Sequence, residues 1–392
     1  MQAPGHPDTP SPFDPSSRSG GDPRSAPASL DPPPHFGPEQ TSTDVEARVR
    51  FEEVELRDVL AHYDLGGLQR VTHYPRGSRR SPKALVRAAY GTYLLKRRAP
   101  GRDEAGRVRR THAIINMLTD RGFPAARLIR THTSGQTAVT YHGHVYELFE
   151  FIEGTSFRQS NRATQYAGHT LGRLHDLLVD ERGEEALPYG SYHAAAGMLS
   201  MLRSIPDTVS YEGADVGERA FRRTCRFLET AYSEAAERVE RQGWREWNEH
   251  VIHGDWHPGN LLFQGIEVAG VVDFDALRIE PRMADVANGA LQFSMRYGEV
   301  EEPLRWPDGV SAHRIRAFVR GYDQGTDRRL SREEDAVLPW LMIEALVAES
   351  VVPIAATGRF ARIPGAAFLT MIERKVRWLQ PRADKLIEFL RS

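Results

Sequence analysis

The stretch that decides the reading is His250-Val251-Ile252-His253-Gly254-Asp255-Trp256-His257-Pro258-Gly259-Asn260-Leu261-Leu262-Phe263-Gln264-Gly265-Ile266-Glu267-Val268-Ala269-Gly270-Val271-Val272-Asp273-Phe274-Asp275. Two apolar runs, Asn260–Phe263 and Val268–Asp273, flank a short link containing Gly265, which predicts a hairpin. Polar residues that serve no core stand at its ends. Asp255, Asn260 and Asp273 offer carboxylate and amide oxygens, hard ligands of the kind that suit Mg²⁺. His253 lies two residues before Asp255, Asn260 five after it and Asp273 eighteen after it.

That order fits phosphoryl transfer, which depends on positioning and on stabilising charge. One carboxylate faces an incoming hydroxyl and receives its proton. A second carboxylate and an amide hold Mg²⁺ against the phosphates of ATP. A hairpin brings these groups to neighbouring strand ends. Gly254 and Gly259 permit sharp turns and Pro258 stiffens the loop. An ordinary polar turn explains His-Gly-Asp alone. It does not explain Asn260 and the Val271–Asp275 strand in register with it. A zinc site built from His250, His253 and His257 is the alternative metal reading; these residues fall on a loop and no cysteine accompanies them.

The segments His253–Asn260 and Asp273-Phe274-Asp275 resemble the aminoglycoside phosphotransferase, choline kinase and homoserine kinase-like superfamily, over roughly residues 50–390. His-Gly-Asp and Asp-Phe-Asp stand where protein kinases usually carry His-Arg-Asp and Asp-Phe-Gly, so the small-molecule branch is the nearer one. The resemblance implies an α+β, protein-kinase-like fold of two lobes. A small β-rich N-lobe that binds nucleotide spans 46–153, and a larger, mainly helical C-lobe with the catalytic loop and substrate site spans 154–392. It implies an ATP-dependent phosphotransferase. Asp255 is then the base or orienting carboxylate, Asn260 and Asp273 hold Mg²⁺, and Asp275 adds support.

Upstream, a short helix over 51–65 precedes three strands, Leu68–Tyr74, Ala84–Ala89 and Tyr93–Arg97. The link between the first two strands sits where kinases cover phosphate. It has one glycine, Gly77, and its serines and arginines, Ser78 and Arg79 among them, are candidate phosphate contacts. Lys96 shares a strand face with Leu94 and matches the lysine that pairs with the α- and β-phosphates. A helix over 104–121 lacks the acid that kinases place against that lysine. Alignment leaves Thr111 or His112 there, so no ion pair is assigned. The strand Tyr146–Glu153 resembles the hinge, where adenine would meet the C=O of Glu150 and the N–H of Ile152.

Helices are expected over Ala163–Asp180, Gly217–Arg241, 331–350 and 364–391. Gly168 and Gly172, four apart, suit close helix packing, and His175 reads as a core histidine. Asp285 is expected to cap the helix it enters and to brace the catalytic loop. Glu299, Glu301, Glu302, Glu344 and Glu349 are acids available to a cationic acceptor, although helix faces are also acidic for solubility alone.

Residues 1–45 hold 11 of the 25 prolines and almost no large apolar side chains, which predicts a disordered tail. A net charge of −2 makes no case for nucleic acid or an anionic membrane as partner. The single cysteine, Cys225, forms no internal disulfide, and no signal peptide or run of about 18 apolar residues is read, so a cytoplasmic protein with a small-molecule hydroxyl substrate is expected. A Ser/Thr protein kinase of the stress-response type and a catalytically silent pseudokinase remain the competing functions.

Overall fold

A computed structural model of the protein describes residues 49–74, 81–181, 187–299 and 302–392. The tail 1–45 and the candidates Ser78 and Arg79 lie outside these residues. The described chain forms two compact units, one of residues 49–104 with Ala126–Phe151, the other of Ala105–Ala125 with Ile152–Ser392.

The first unit is a sheet with one helix. It comprises α1 (Glu53–Leu60), β1 (Leu68–His73), β2 (Lys83–Ala88) and β3 (Gly91–Arg97). Beyond the segment that belongs to the other unit come β4 (Val139–Tyr141) and β5 (His144–Glu150). The strand order is β1-β2-β3-β5-β4, with every neighbour antiparallel. β2 alternates buried and accessible side chains, as expected of a strand with one face on a core. Ala84, Val86, Leu95 and Leu148 are fully buried and pack with Leu56, Val59 and Leu60 of α1. Polar contacts fix the helix on the sheet: Glu55 accepts from Arg97 Nη1 at 2.7 Å and Tyr146 Oη at 2.5 Å, and Asp58 accepts from Tyr141 Oη at 2.6 Å.

The second unit begins with α2 (Ala105–Asp120) and continues from Ile152 with α3 (Asn161–Leu178), α4 (Met198–Thr208) and α5 (Glu218–Glu240). Short strands follow: β6 (Glu249–Ile252), β7 (Leu261–Gln264), β8 (Glu267–Val271) and β9 (Arg278–Pro281). The chain ends with α6 (Met283–Ser294), α7 (Ala312–Gly325), α8 (Arg332–Thr357), α9 (Gly365–Leu379) and α10 (Ala383–Arg391). The expected single helix over 364–391 is therefore two, divided by a 3₁₀ turn at Gln380–Arg382 that contains Pro381, a residue with no N–H to continue the ladder.

α3 and α7 touch backbone to backbone. A Cβ on Gly168 or Gly172 would stand 2.0 Å from Phe318 O or 2.5 Å from Tyr322 O. Reciprocally, a Cβ on Gly321 or Gly325 would stand 1.9 Å from Gln165 O or 2.1 Å from His169 O. Four glycines at matched four-residue spacing thus set the approach of the two helices. α8 is long and apolar enough on average to cross a membrane, although Glu344 and Glu349 interrupt its apolar residues, and 89% of that window is buried inside the protein. It packs against α4, α5, α6 and α9. Cys225 on α5 is buried, and that burial pushes its thiol up to about 12, so it is a packing residue.

Candidate active site

The loop between β6 and β7 carries Asp255 and Asn260, and β8 leads to Asp273. The hairpin is present, with Leu261 opposite Val271. Asn260 stands in a 3₁₀ turn, Pro258–Asn260, just before the strand it was expected to begin, and Asp273 lies beyond β8. Asp273 adopts φ 66° and ψ 57°, left-handed values that Asp tolerates better than most residues. The hairpin is pinned on both edges. Thr155 and Phe263 exchange backbone hydrogen bonds at 2.8 and 2.9 Å, and Val271 N–H donates to Pro124 O at 2.7 Å. From α2, Arg107 donates to the Asp275 carbonyl at 2.6 Å and holds the turn after Asp273.

Within this frame the three residues meet. Asn260 Nδ2 donates to Asp255 Oδ2 at 3.1 Å and to its backbone O at 3.0 Å. Val272 N–H donates to Asn260 O at 3.0 Å, which places Asp273 next to them. Because the Asn260 nitrogen serves Asp255, its Oδ1 lies at the other end of the amide. Oδ1 and the Asp273 carboxylate are both hard oxygens. That donor set fits Mg²⁺, which takes one or two protein ligands and keeps the rest for water and phosphate.

Asp255 is held as a carboxylate. Burial pushes its pKa up, but the charges of His257 and His253 and the hydrogen bond from His257 outweigh this and hold it well below the usual range. His257 Nε2 lies 3.4 Å from Asp255 Oδ1. The same ring accepts the Gly259 N–H through Nδ1 at 3.0 Å, and His253 Nδ1 faces the Asp255 N–H at 3.3 Å. Burial lowers the pKa of His253, and its ring packs edge-on to Trp256 and against Phe274. His253 therefore shapes the loop, and these local roles replace the three-histidine zinc arrangement.

Asp285 supports the loop from behind. Its carboxylate accepts the N–H of His253 at 2.7 Å and of Gly254 at 2.8 Å, and it meets His175 Nε2 at 3.2 Å. His175 is fully buried, with Nδ1 at 2.9 Å from Tyr322 Oη, a satisfied core histidine. Asp285 does not cap its helix. It is the third residue of α6, whose N-cap position is Arg282, with no side-chain cap bond. Gly254 has φ 75°, and a Cβ there would stand 2.3 Å from Ala276 O, so the turn into Asp255 needs glycine.

In the sheet unit Lys96 is 4% exposed on β3, opposite Glu147 of β5. Glu147 is fully buried and accepts from Arg98 Nε at 2.5 Å. A buried acid thus faces the lysine across the strands, a placement that needs the strand register and is invisible in linear spacing. Glu150 ends β5 opposite Tyr93, with its N–H donated to Arg127 O at 2.9 Å. Ile152 follows the strand, and a Cβ on Gly270 would stand 2.8 Å from its Cδ1. Thr111 and His112 are both buried on α2.

The model of the phosphotransferase enzyme family matches residues 74–332. A homoserine kinase of Beijerinckia indica subsp. indica is 24% identical over 295 residues, 74% of this chain and 82% of its own. The solved structure of a microcompartment-associated aminopropanol kinase aligns with TM-score 0.61 at 13% identity, over 86% of this chain and 98% of that one. An amicoumacin kinase, solved with AMP-PNP, Ca²⁺ and Ami, aligns with TM-score 0.60 at 13% identity, over 86% and 94%. The likeness of the solved structures establishes the protein-kinase-like α+β fold. The chain belongs to the phosphotransferase enzyme family and is a kinase with a hydroxyl acceptor.

Proposed function

We propose that the protein moves the γ-phosphoryl group of Mg-ATP to a hydroxyl of a small molecule. The observation that carries this is the meeting of Asp255, Asn260 and the Val272-Asp273 strand end, with Asp255 kept ionised. Asp255 accepts a hydrogen bond from the incoming hydroxyl and directs its oxygen at the γ-phosphorus; the hydroxyl proton passes to this carboxylate as the new P–O bond forms, while the bond to the β–γ bridging oxygen breaks and ADP leaves. Asn260 Oδ1 and Asp273 would hold Mg²⁺, which neutralises charge on the phosphate oxygens. Lys96 keeps the phosphate-binding role that the resemblance implies, and its register partner Glu147 is the acid proposed to steady its ammonium. Ser78 and Arg79 are proposed phosphate contacts, and the backbone of Glu150 and Ile152 is proposed to meet adenine. AMP-PNP in the amicoumacin kinase supports ATP as donor. A cytoplasmic setting fits the single cysteine.

The test is release of ADP from ATP, or of GDP from GTP, over amino alcohols, sugars, aminoglycosides and a generic protein substrate. Turnover on a small hydroxylated molecule supports the reading. Turnover on the protein substrate alone replaces it with a protein kinase, and silence on every acceptor replaces it with a pseudokinase.

A further inference from the structure

One helix holds the chain on both sides of Asp273. Two residues before it, the Val271 N–H donates to Pro124 O at 2.7 Å, and Ala125 and Val271 form a parallel bridge. Two residues after it, the Asp275 carbonyl accepts from Arg107 Nη2 at 2.6 Å. Arg107 stands in the first turn of α2, and Pro124 in the turn that leaves its other end. That turn is fixed to the helix: Gly122, at φ 72°, lets the Phe123 N–H return to Leu118 O at 2.9 Å. Both contacts end on backbone groups, so they set the path of the chain through Asp273.

That path needs support. Asp273, at φ 66° and ψ 57°, lies in the left-handed region, which costs a residue with a Cβ about 1–2 kcal/mol. The 3₁₀ turn Phe274–Ala276 that follows is closed by a long bond, from the Leu277 N–H to Phe274 O at 3.3 Å. α2 is anchored independently of this turn. Its Ile114, Ile115 and Leu118 are buried, and Arg110 pairs with Glu181 at 2.9 Å. Arg107 carries that rigidity to the Asp275 carbonyl through a charge-assisted bond, which is stronger than a neutral one. Mg²⁺ demands near-ideal octahedral geometry, with oxygens at about 2.0–2.1 Å. A small drift of the Asp273 backbone therefore weakens the ligand it carries.

We propose that Arg107 is a positioning residue for the metal site: together with Pro124 it clamps the left-handed backbone of Asp273 and so sets the affinity for Mg²⁺. This rests on the phosphotransferase reading, in which Asp273 holds the metal. The effect of Arg107 passes through the Asp275 carbonyl, so it falls on metal affinity and not on the proton transfer at Asp255.

The experiment reads the melting shift given by ATP across a Mg²⁺ titration, on the full chain and without any acceptor. It compares the parent with Arg107→Gln, Arg107→Lys and Arg110→Gln. Arg107→Gln removes the charged donor and is too short to reach the carbonyl. It should raise the Mg²⁺ midpoint about tenfold, the low end of what losing a supporting contact behind a metal ligand costs. Arg107→Lys keeps a charged donor and should recover much of that loss. Arg110→Gln breaks an ion pair one turn further along the same helix; it should leave the midpoint at the parental value, whatever it does to the melting temperature without ligand. A parental midpoint in Arg107→Gln overturns the proposal. So does a lysine variant as weak as the glutamine one, or an equal rise in Arg110→Gln, which would make the effect a general loosening of α2. If the parent itself shows no Mg²⁺-dependent shift, the metal reading of Asp273 fails and takes the proposal with it.

Discussion

The Asp285 carboxylate receives the backbone N–H of His253 at 2.7 Å, and its second oxygen receives that of Gly254 at 2.8 Å. A side chain on α6 therefore sets the path of the chain one residue before Asp255. Through His175, the same carboxylate ties the loop to α3, and through Tyr322 to α7.

Asp285→Ala should cost about 3–5 kcal/mol in stability, because it leaves buried donors without their charged acceptor. Asp285→Asn keeps one acceptor oxygen and should cost less. Denaturant melts measure both, and kcat of the Asn variant should fall more than the nucleotide affinity does.

Gly321→Ala and Gly168→Ala should each destabilise by about 1–3 kcal/mol or more, since the added methyl meets the facing helix backbone, which cannot move aside cheaply. Gly190→Ala is the control for open space: its Cβ would meet nothing within 4 Å, although φ 70° adds a backbone cost. Melting temperatures of the three rank the packing term against the backbone term.

Glu280 is 3% exposed on β9, and burial raises its pKa from 4.5 to about 7. The nearby Ser191 and the charge of Arg278 lower it, and the charge of Asp285 raises it, but burial dominates. Between those two values the folded chain holds a proton that the unfolded chain has lost. This contribution therefore favours the fold below about pH 4.5, declines as pH rises, and is gone above about 7. It amounts to at most about 3 kcal/mol. The Glu280→Gln variant should lack this part of the slope; identical pH–stability curves for variant and parent would contradict it.

Asp273→Asn should weaken Mg²⁺-dependent nucleotide binding at least about tenfold, because it removes a charged ligand where even outer-shell losses cost that much. The reading is the nucleotide-induced melting shift across a Mg²⁺ titration.

Much of this was legible in the sequence because chemistry restricts residue type at fixed spacing. Asp255, Asn260 and Asp273 could be picked out since no core or cap needs those groups together. β1, β2, β3, β5, the β7–β8 hairpin and the glycine-marked α3 followed from ordinary periodicity, whereas the short β4, β6 and β9 were not read. α4 and α7 were not read. α7 carries a buried apolar stripe, Ile315, Phe318, Val319 and Tyr322, and Gly321 and Gly325 repeat the four-residue spacing of Gly168 and Gly172, so its signal was present in the sequence. Glu147 opposite Lys96 depends on strand register, and the pairing of Glu344 with the Ala194 N–H and of Glu349 with the Gln292 amide depends on which side of α8 meets α6. Asp285 was read as a cap because it begins a helix; its oxygens turn instead to a loop 31 residues back.

The most direct measurement is turnover of Asp255→Ala on an acceptor identified by ADP release, with nucleotide affinity measured in parallel. The phosphotransfer mechanism predicts a loss of about 10²–10⁴ in rate, with the Mg-ATP melting shift close to that of the parent. Turnover at the parental rate would contradict the assignment of the His253–Asn260 loop as the catalytic centre.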